Sequence, residues 1–167
     1  GLDLSQKRLP QDGSFSFSVG SELRHARISI IPSLYGESIV IRLLASSELP
    51  RLEGLGMEPT GLLLLREALE AQQGMILLTG PTGSGKTTTM YAAAVDLCNR
   101  GKNVVSVEDP IETAVQGVVQ IQVCTAQSLG YPEAIRAVLR HDPDSLFIGE
   151  MRDAVSASIA LHASTTG

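Results

Sequence analysis

Gly80-Pro81-Thr82-Gly83-Ser84-Gly85-Lys86-Thr87, preceded by the apolar run Met75-Ile76-Leu77-Leu78 and followed by Thr88-Thr89-Met90-Tyr91-Ala92-Ala93-Ala94, decides the fold. Gly80 and Gly85 bracket four residues ahead of a Lys-Thr pair, which is the spacing of a phosphate-binding loop set between a strand and a helix. Gly80, Gly83 and Gly85 let the backbone fold into a nest whose N–H groups point at an anion. The first turn of the next helix adds unpaired donors and the positive end of its dipole. In such a loop Lys86 sits as a cation on the β- and γ-phosphates and the Thr87 hydroxyl ligates magnesium, while Pro81, Thr82, Ser84 and Thr88 complete the binding surface. The bland alternative is a Gly/Thr-rich connector, and the flanking strand and helix patterns disfavour it. ATP and Mg2+ are the ligands expected.

Outward from the loop, the pattern from Gly74 onward is strand, helix, strand, helix, strand. Met75 to Leu78 has no polar interruption, as in a strand buried on both faces of a parallel sheet. The helix opening at Thr87 is predicted to run to Asn99-Arg100, with Arg100 a cation in its last turn and Gly101 taking the left-handed cap conformation. Asn103 to Val107 reads as a second buried strand, and Ser145 to Gly149 as a third. A helix from about Pro132 to Arg140 puts Ile135, Val138 and Leu139 on one face and Arg136 and Arg140 four apart on another, and Val155 to Ala163 begins a further helix. This alternation specifies an α/β domain with a parallel sheet.

Residues 3–44 read as β-rich instead. Phe15, Phe17 and Val19 alternate with Ser14, Ser16 and Ser18; Arg27 to Ile30 and Ser38 to Leu44 are strand-like; turns are expected at 10–13, Gly20-Ser21 and 32–37. Pro50, Gly54, Gly56 and Pro59 mark a linker, and Thr60 is a candidate cap for a helix through Leu62 to Leu65 and Leu69. The expected division is a small β-rich domain over 1–47, a hinge over 48–60 and an ATPase core over 61–167.

In parallel sheets ligands sit at the carboxyl ends of strands, so acids just past each strand are the candidates for metal and water chemistry. Glu108-Asp109-Pro110-Ile111-Glu112 follows the second strand and Glu150-Met151-Arg152-Asp153 the third. Asp144 stands at the start of the third strand, roughly 20 Å from Glu150 at about 3.3 Å per residue, and reads as a turn or cap residue. One acid is expected to hold magnesium and another group to orient the attacking water. Glu150 suits the first role and Glu108 the second, with exchange of the two left open. Arg27 and Arg42 belong to the small β unit and would reach the γ-phosphate only if the two domains closed. On spacing alone an exposed Arg on a strand is more often a solvated surface charge.

Composition bounds the rest. Of 167 residues 43% are hydrophobic and 19% charged, as in a globular protein, and with 4% aromatics and no Trp the core is expected to be aliphatic. A net charge of -5 without a Lys/Arg run argues against a nucleic-acid groove. No segment reaches the roughly 18 to 20 apolar residues of a membrane span and no signal peptide is evident, which predicts a cytoplasmic location. Cys98 and Cys124 lack metal-ligand spacing and are expected to be reduced, structural thiols; His25, His141 and His162 are expected to be structural. Gly1 in place of Met and an ending on Ser164-Thr165-Thr166-Gly167 suggest an excised fragment.

Four ordered motifs, spread over nearly the whole chain, resemble the secretion ATPases that power type II secretion and type IV pilus assembly. Arg8 to Gly13 resembles the opening of the domain before the motor core, and Arg27 to Pro32 with Gly36-Glu37 and Ile41 to Leu44 resembles that domain's two arginine-bearing strands. Gly80 to Thr89 is similar to the family's phosphate loop, Val107 to Glu112 to its aspartate box, and Leu139 to Asp144 through Gly149 to Asp153 to its Walker B region. The resemblance implies a RecA-like core, a homo-hexamer, and peripheral attachment to the inner membrane through a platform protein and cytoplasmic adaptors. It further implies ATP held between the small domain and the core, with Arg27, Arg42, Arg136 and Arg140 serving the nucleotide or its surroundings. Ser14 and Val155 depart from the family's usual Arg and acidic residue, and the chain stops where the histidine box would begin. The alternative function is a nucleotide-sensing scaffold that binds ATP without turnover. A GTPase is disfavoured because no Asn-Lys-x-Asp motif occurs.

Overall fold

A computed structural model of the chain describes residues 2–20, 22–43, 49–123 and 129–166; the side chains of residues 14, 22–25 and 166 lie outside that description. Ser21, Leu44, Cys124 and Gly167, singled out in the sequence, therefore fall outside it, as does the His25 side chain. The chain divides into two compact units, Gly1–Glu48 and Leu49–Gly167.

The first unit is an antiparallel meander of β1 (Gln11–Val19), β2 (Glu22–Ser33) and β3 (Gly36–Leu43). The serine/aromatic alternation of 14–19 forms a strand as expected. β1 also takes in Gln11 to Gly13, where a turn was expected. Those residues pair with Ile28 to Ile30, and the Gln11 side chain ties down the preceding loop by donating to the Asp3 and Gln6 carbonyls at 2.9 and 2.6 Å. β2 and β3 pair from Ala26↔Leu43 to Ser33↔Gly36, which sets Arg27 directly opposite Arg42.

The second unit contains α1 (Pro59–Glu70), α2 (Lys86–Asn99), β4 (Val104–Glu108), β5 (Val119–Gln122), α3 (Tyr131–Val138), β6 (Ser145–Ile148) and α4 (Ala154–Thr166). The three strands form a parallel sheet in the order β5-β4-β6. Period two sorts β4 between two layers. Val105 and Val107 pack with Tyr131, Ile135 and Val138 of α3, whereas Val104 packs with Ala94 and Leu97 of α2. Small residues at Ala92 to Ala94 let α2 lie close, and Leu52, in a 3-10 turn over Leu52–Leu55, is buried against Ala92 and Ala93. The core is mainly aliphatic, but Tyr91 and Tyr131 are buried in it as well, against the expectation from composition.

Three further boundaries differ from expectation. α1 starts at Pro59 with Glu58 as N-cap, so Thr60 is inside the first turn; the fixed φ of proline suits that first position. β5 was not anticipated. Met75 to Leu78 is not a ladder strand among the described residues and its side chains are 40–62% exposed. An apolar run encodes a demand for burial without naming the strand that meets it, and here the ladder ends at β6. The run is tethered at its start, where Gly74 N donates to the Ser164 carbonyl at 2.9 Å. No helix of the described residues is long and apolar enough to cross a membrane.

Candidate active site

The loop from Gly80 to Gly85 leads directly into α2, which begins at Lys86. Three glycines are required by the backbone, and one of them is Gly83, whose φ of 80° lies in the left-handed region. Gly85 has a φ of 92°, in the left-handed region, and a Cβ on Gly80, whose φ is 154°, would fall 2.7 Å from Ser84 Oγ. Lys86 folds back over the loop and its ammonium donates to the carbonyls of Gly80 and Pro81 at 2.8 and 2.9 Å. An ammonium has three donors, so one remains for an anion in the loop. The opening amides of α2 have no intrahelical partner and add to the same positive field. Thr87 follows on the half-buried side of the first turn, while Pro81, Thr82, Gly83, Ser84 and Thr88 are exposed.

β4 and β6 carry the two acids to one edge of the sheet. Val107 pairs with Ile148 and Gly149 N donates to the Val107 carbonyl at 2.9 Å, so Glu108 and Glu150 leave adjacent strands at their carboxyl ends. Asp144 is at the other end, where its carboxylate accepts from Asn103 N at 2.7 Å and pairs with Lys102 at 3.7 Å, a turn and cap role as expected.

Glu108 is 2% exposed. Its Oε1 accepts from Ser106 Oγ at 2.5 Å and Gln120 Nε2 at 3.0 Å, and its Oε2 accepts from the Tyr91 hydroxyl. Ser106 and Glu108 share a strand face by the period of two, and that face is the one turned to α2, which supplies Tyr91. Tyr91 and Gln120 are themselves held: the Tyr91 oxygen accepts from Glu112 N at 3.2 Å, and Gln120 bonds Thr113 O at 3.0 Å and Val115 N at 2.7 Å. Burial and the adjacent Glu108 push the Tyr91 hydroxyl well above its ordinary pKa, so it stays a donor. A carboxylate offers about four acceptor sites. Three are taken, which leaves one on Oε2.

Glu150 is held differently. It is exposed, and its Oε1 pairs with Arg152, whose guanidinium also reaches Asp109 at 3.3 Å. The Glu150 hydrogen bond and charge raise the Arg152 pKa. Asp153 is spent structurally: it caps α4 by accepting from Ser156 N at 2.7 Å and Ser156 Oγ at 3.0 Å, bonds that lower its pKa. Tyr131, at the start of α3, is buried beside this edge, and burial followed by the charges of Glu150 and Asp109 pushes its hydroxyl up to about 12.

The arginines separate into two pairs. Arg27 and Arg42 are cross-strand neighbours on an exposed face of the first unit, a like-charge arrangement that costs stability unless an anion or counter-charge meets it. Arg136 pairs with Glu133 at 3.9 Å and Arg140 donates to the Arg136 carbonyl at 3.1 Å, so α3 and its C-terminus already relieve that pair. Cys98 is a free, half-buried thiol whose pKa burial raises, in keeping with a structural role.

The residues present fit a nucleoside triphosphate and its cation. Gly83 and Gly85 face open space, with no other atom within 4 Å of where a Cβ would stand, and the donors near the loop, a threonine hydroxyl and carboxylates, are the hard oxygens magnesium prefers. Among the described residues no group of three His, Cys, Asp or Glu side chains gathers as a metal centre. Ser106, Gln120, Tyr91 and Tyr131 were not picked out in the sequence as site residues. Ser106 was the one detectable case, being the sole polar residue inside Val104-Val105-Ser106-Val107.

A family model described as type II/IV secretion system protein matches residues 1–167. Type II secretion system protein E of Aeromonas hydrophila is 44% identical over 167 residues, covering 99% of this chain and 33% of its own length. The protein HxcR of Pseudomonas aeruginosa is 46% identical over 99% of this chain and 36% of its own, and type II secretion system ATPase E of Vibrio cholerae 42% identical over 99% and 33%. The chain thus spans about a third of the length of these relatives. The X-ray structure of the Legionella pneumophila ATPase DotB superposes with a TM-score of 0.76 at 26% identity, covering 95% of this chain and 45% of DotB. The fold is that of a RecA-like P-loop core preceded by a small β-rich unit, and the chain belongs to the type II/IV secretion system protein family.

Proposed function

We propose that this chain is the nucleotide-handling part of an ATP-hydrolysing motor subunit that powers type II secretion or type IV pilus assembly. One observation carries the reading: the buried Glu108 carboxylate, at a sheet edge, is bonded through Tyr91 to the same helix that opens from the phosphate loop. The reaction is transfer of the γ-phosphoryl group of ATP to water, giving ADP and phosphate. The loop amides from Gly80 to Thr88 and the Lys86 ammonium bind and orient the phosphates. Thr87 and Glu150 hold magnesium, which when bound neutralises charge on the β- and γ-phosphates. Glu108 keeps one acceptor site for water and is fixed by three donors, which suits orientation of a nucleophile. Glu150 is exposed and, among the described residues, paired only with an exposed guanidinium, which suits exchange onto a cation.

Arg27 and Arg42 supply positive charge to the nucleotide in this proposal, and their like-charge juxtaposition is the feature that favours it. The proposal keeps the division expected from the sequence, a small domain over 1–47, a hinge over 48–60 and a core over 61–167, and the packing of Leu49 and Leu52 against α2 supports adding the segment from Leu49 to the core. Names of the relatives support a place in a secretion machine. A homo-hexamer, an inner-membrane platform, cytoplasmic adaptors and a cytoplasmic, peripheral location complete the proposal, with no nucleic-acid partner.

The test is magnesium-dependent ATP turnover by the full-length protein, with Lys86→Ala and Glu108→Gln alongside. Turnover is expected to fall about 10²- to 10³-fold in the first and about 10²- to 10⁴-fold in the second. Unchanged turnover in both would sink the assignment, and tight ATP binding without turnover by the unmodified protein would favour the nucleotide-sensing scaffold.

A further inference from the structure

Tyr131 carries an oxygen that the core does not need. The residue is 6% exposed and its ring packs with Val107, Ile135 and Ile148, contacts a phenylalanine would make equally well. Its hydroxyl is buried and has no hydrogen-bond partner among the described residues. Leaving a buried hydroxyl unbonded costs stability, because the group gives up its bonds to water on folding and gains none. The position of the oxygen is informative. A Cβ built on Gly149 would lie 3.6 Å from it and 3.5 Å from both Glu108 Cα and the Val107 carbonyl, so the hydroxyl stands where the chain leaves β4 and β6 with Glu108 and Glu150. Pro132, in the first turn of α3, fixes the backbone that presents it.

We infer that the Tyr131 hydroxyl is a positioning donor where the chain leaves β4 and β6, bonding a water that takes part in hydrolysis beside Asp109 and Glu150. This rests on the ATPase reading above. The surroundings select the direction of the bond: Asp109 and Glu150, whose charges act most on Tyr131, are acceptors, so a water beside them presents hydrogens to the carboxylates and a lone pair to the tyrosine O–H. No proton is transferred from Tyr131, whose hydroxyl stays neutral throughout.

Tyr131→Phe in the full-length protein deletes the one oxygen and keeps the ring. The expected result is a fall in kcat of about tenfold, the worth of one hydrogen bond. ATP KM, nucleotide affinity and the Tm of the nucleotide-free protein stay as in the wild type. Affinity for ADP with aluminium fluoride, which mimics the phosphoryl group in transfer, is expected to drop by a similar factor while affinity for ADP alone holds. Wild-type kcat in Tyr131→Phe would overturn the inference, and so would a loss of kcat accompanied by a lower Tm or a raised KM, since that marks packing. A wild-type protein that binds ATP without hydrolysing it would fail the ATPase reading itself, a result visible before the variant is measured.

Discussion

Glu108 and Glu150 occupy the same edge of the same sheet and are held in opposite ways. Glu108 is sealed under α2, with Ser106, Gln120 and Tyr91 donating to it, and each donor is anchored or sits on a regular element. Glu150 lies in solvent, and its described partner is Arg152, itself exposed and shared with Asp109. Bonds from buried donors to a carboxylate are worth roughly 1.5 to 3 kcal/mol each, whereas an exposed ion pair contributes at most about 1 kcal/mol. In the proposed reaction this contrast divides the work between the two acids: the firmly bonded Glu108 orients water, and the exposed Glu150 exchanges its guanidinium partner for a metal cation.

Breaking the fixed side should have the larger effect. Gln120→Ala removes a donor from Glu108 and also frees Thr113 O and Val115 N, so the loop after β4 loosens with it. A loss of roughly 1 to 3 kcal/mol in unfolding free energy is expected, read by denaturant titration, with a fall of about tenfold in kcat. Retention of both would show that Glu108 does not depend on its surroundings. Loosening the exchangeable side should do less and in the other direction. Arg152→Ala frees Glu150 and Asp109, and the magnesium concentration giving half-maximal turnover should decrease, by at most about fivefold. An increase would mean that Arg152 helps to hold the nucleotide.

The smallest effect concerns Asp153, next to Arg152 but outside the proposed chemistry. Its bonds to Ser156 lower its pKa in the folded chain, so its contribution to stability is full above the unfolded value of about 4 and is lost as pH falls through the folded value. Asp153→Ala should lower Tm by a constant amount from neutral pH to about pH 5, and the gap should close in stronger acid. Unaltered ATP turnover at neutral pH is expected beside it. A gap that widens in acid would contradict the cap.

What was legible in the sequence followed from local chemistry. The phosphate loop is contiguous, so its glycines, Lys86 and Thr87 announce themselves, and the buried strand at 104–108 and the acids beyond it follow from strand polarity. The support around Glu108 was not legible because it is assembled from α2, β4 and the segment ending at β5, joined only in three dimensions. Gln120 stands in the short alternation Val119-Gln120-Ile121-Gln122, which gave no sign that its amide turns toward an acid. Met75 to Leu78 failed in the opposite sense, since apolarity stated a need for burial that the described ladder does not meet. Tyr91 and Tyr131 contradicted an aliphatic core for a chemical reason: each brings a hydroxyl to the acidic edge.

The most direct measurement is a magnesium titration of ATP turnover and ATP binding in full-length Glu108→Gln and Glu150→Gln. If the fixed acid orients water and the exchangeable acid holds the cation, Glu108→Gln loses turnover about 10²-fold or more with an unchanged magnesium midpoint for binding. Glu150→Gln then shifts that midpoint upward. The same midpoint in both variants, or a shift confined to Glu108→Gln, would contradict the division of roles between the two acids.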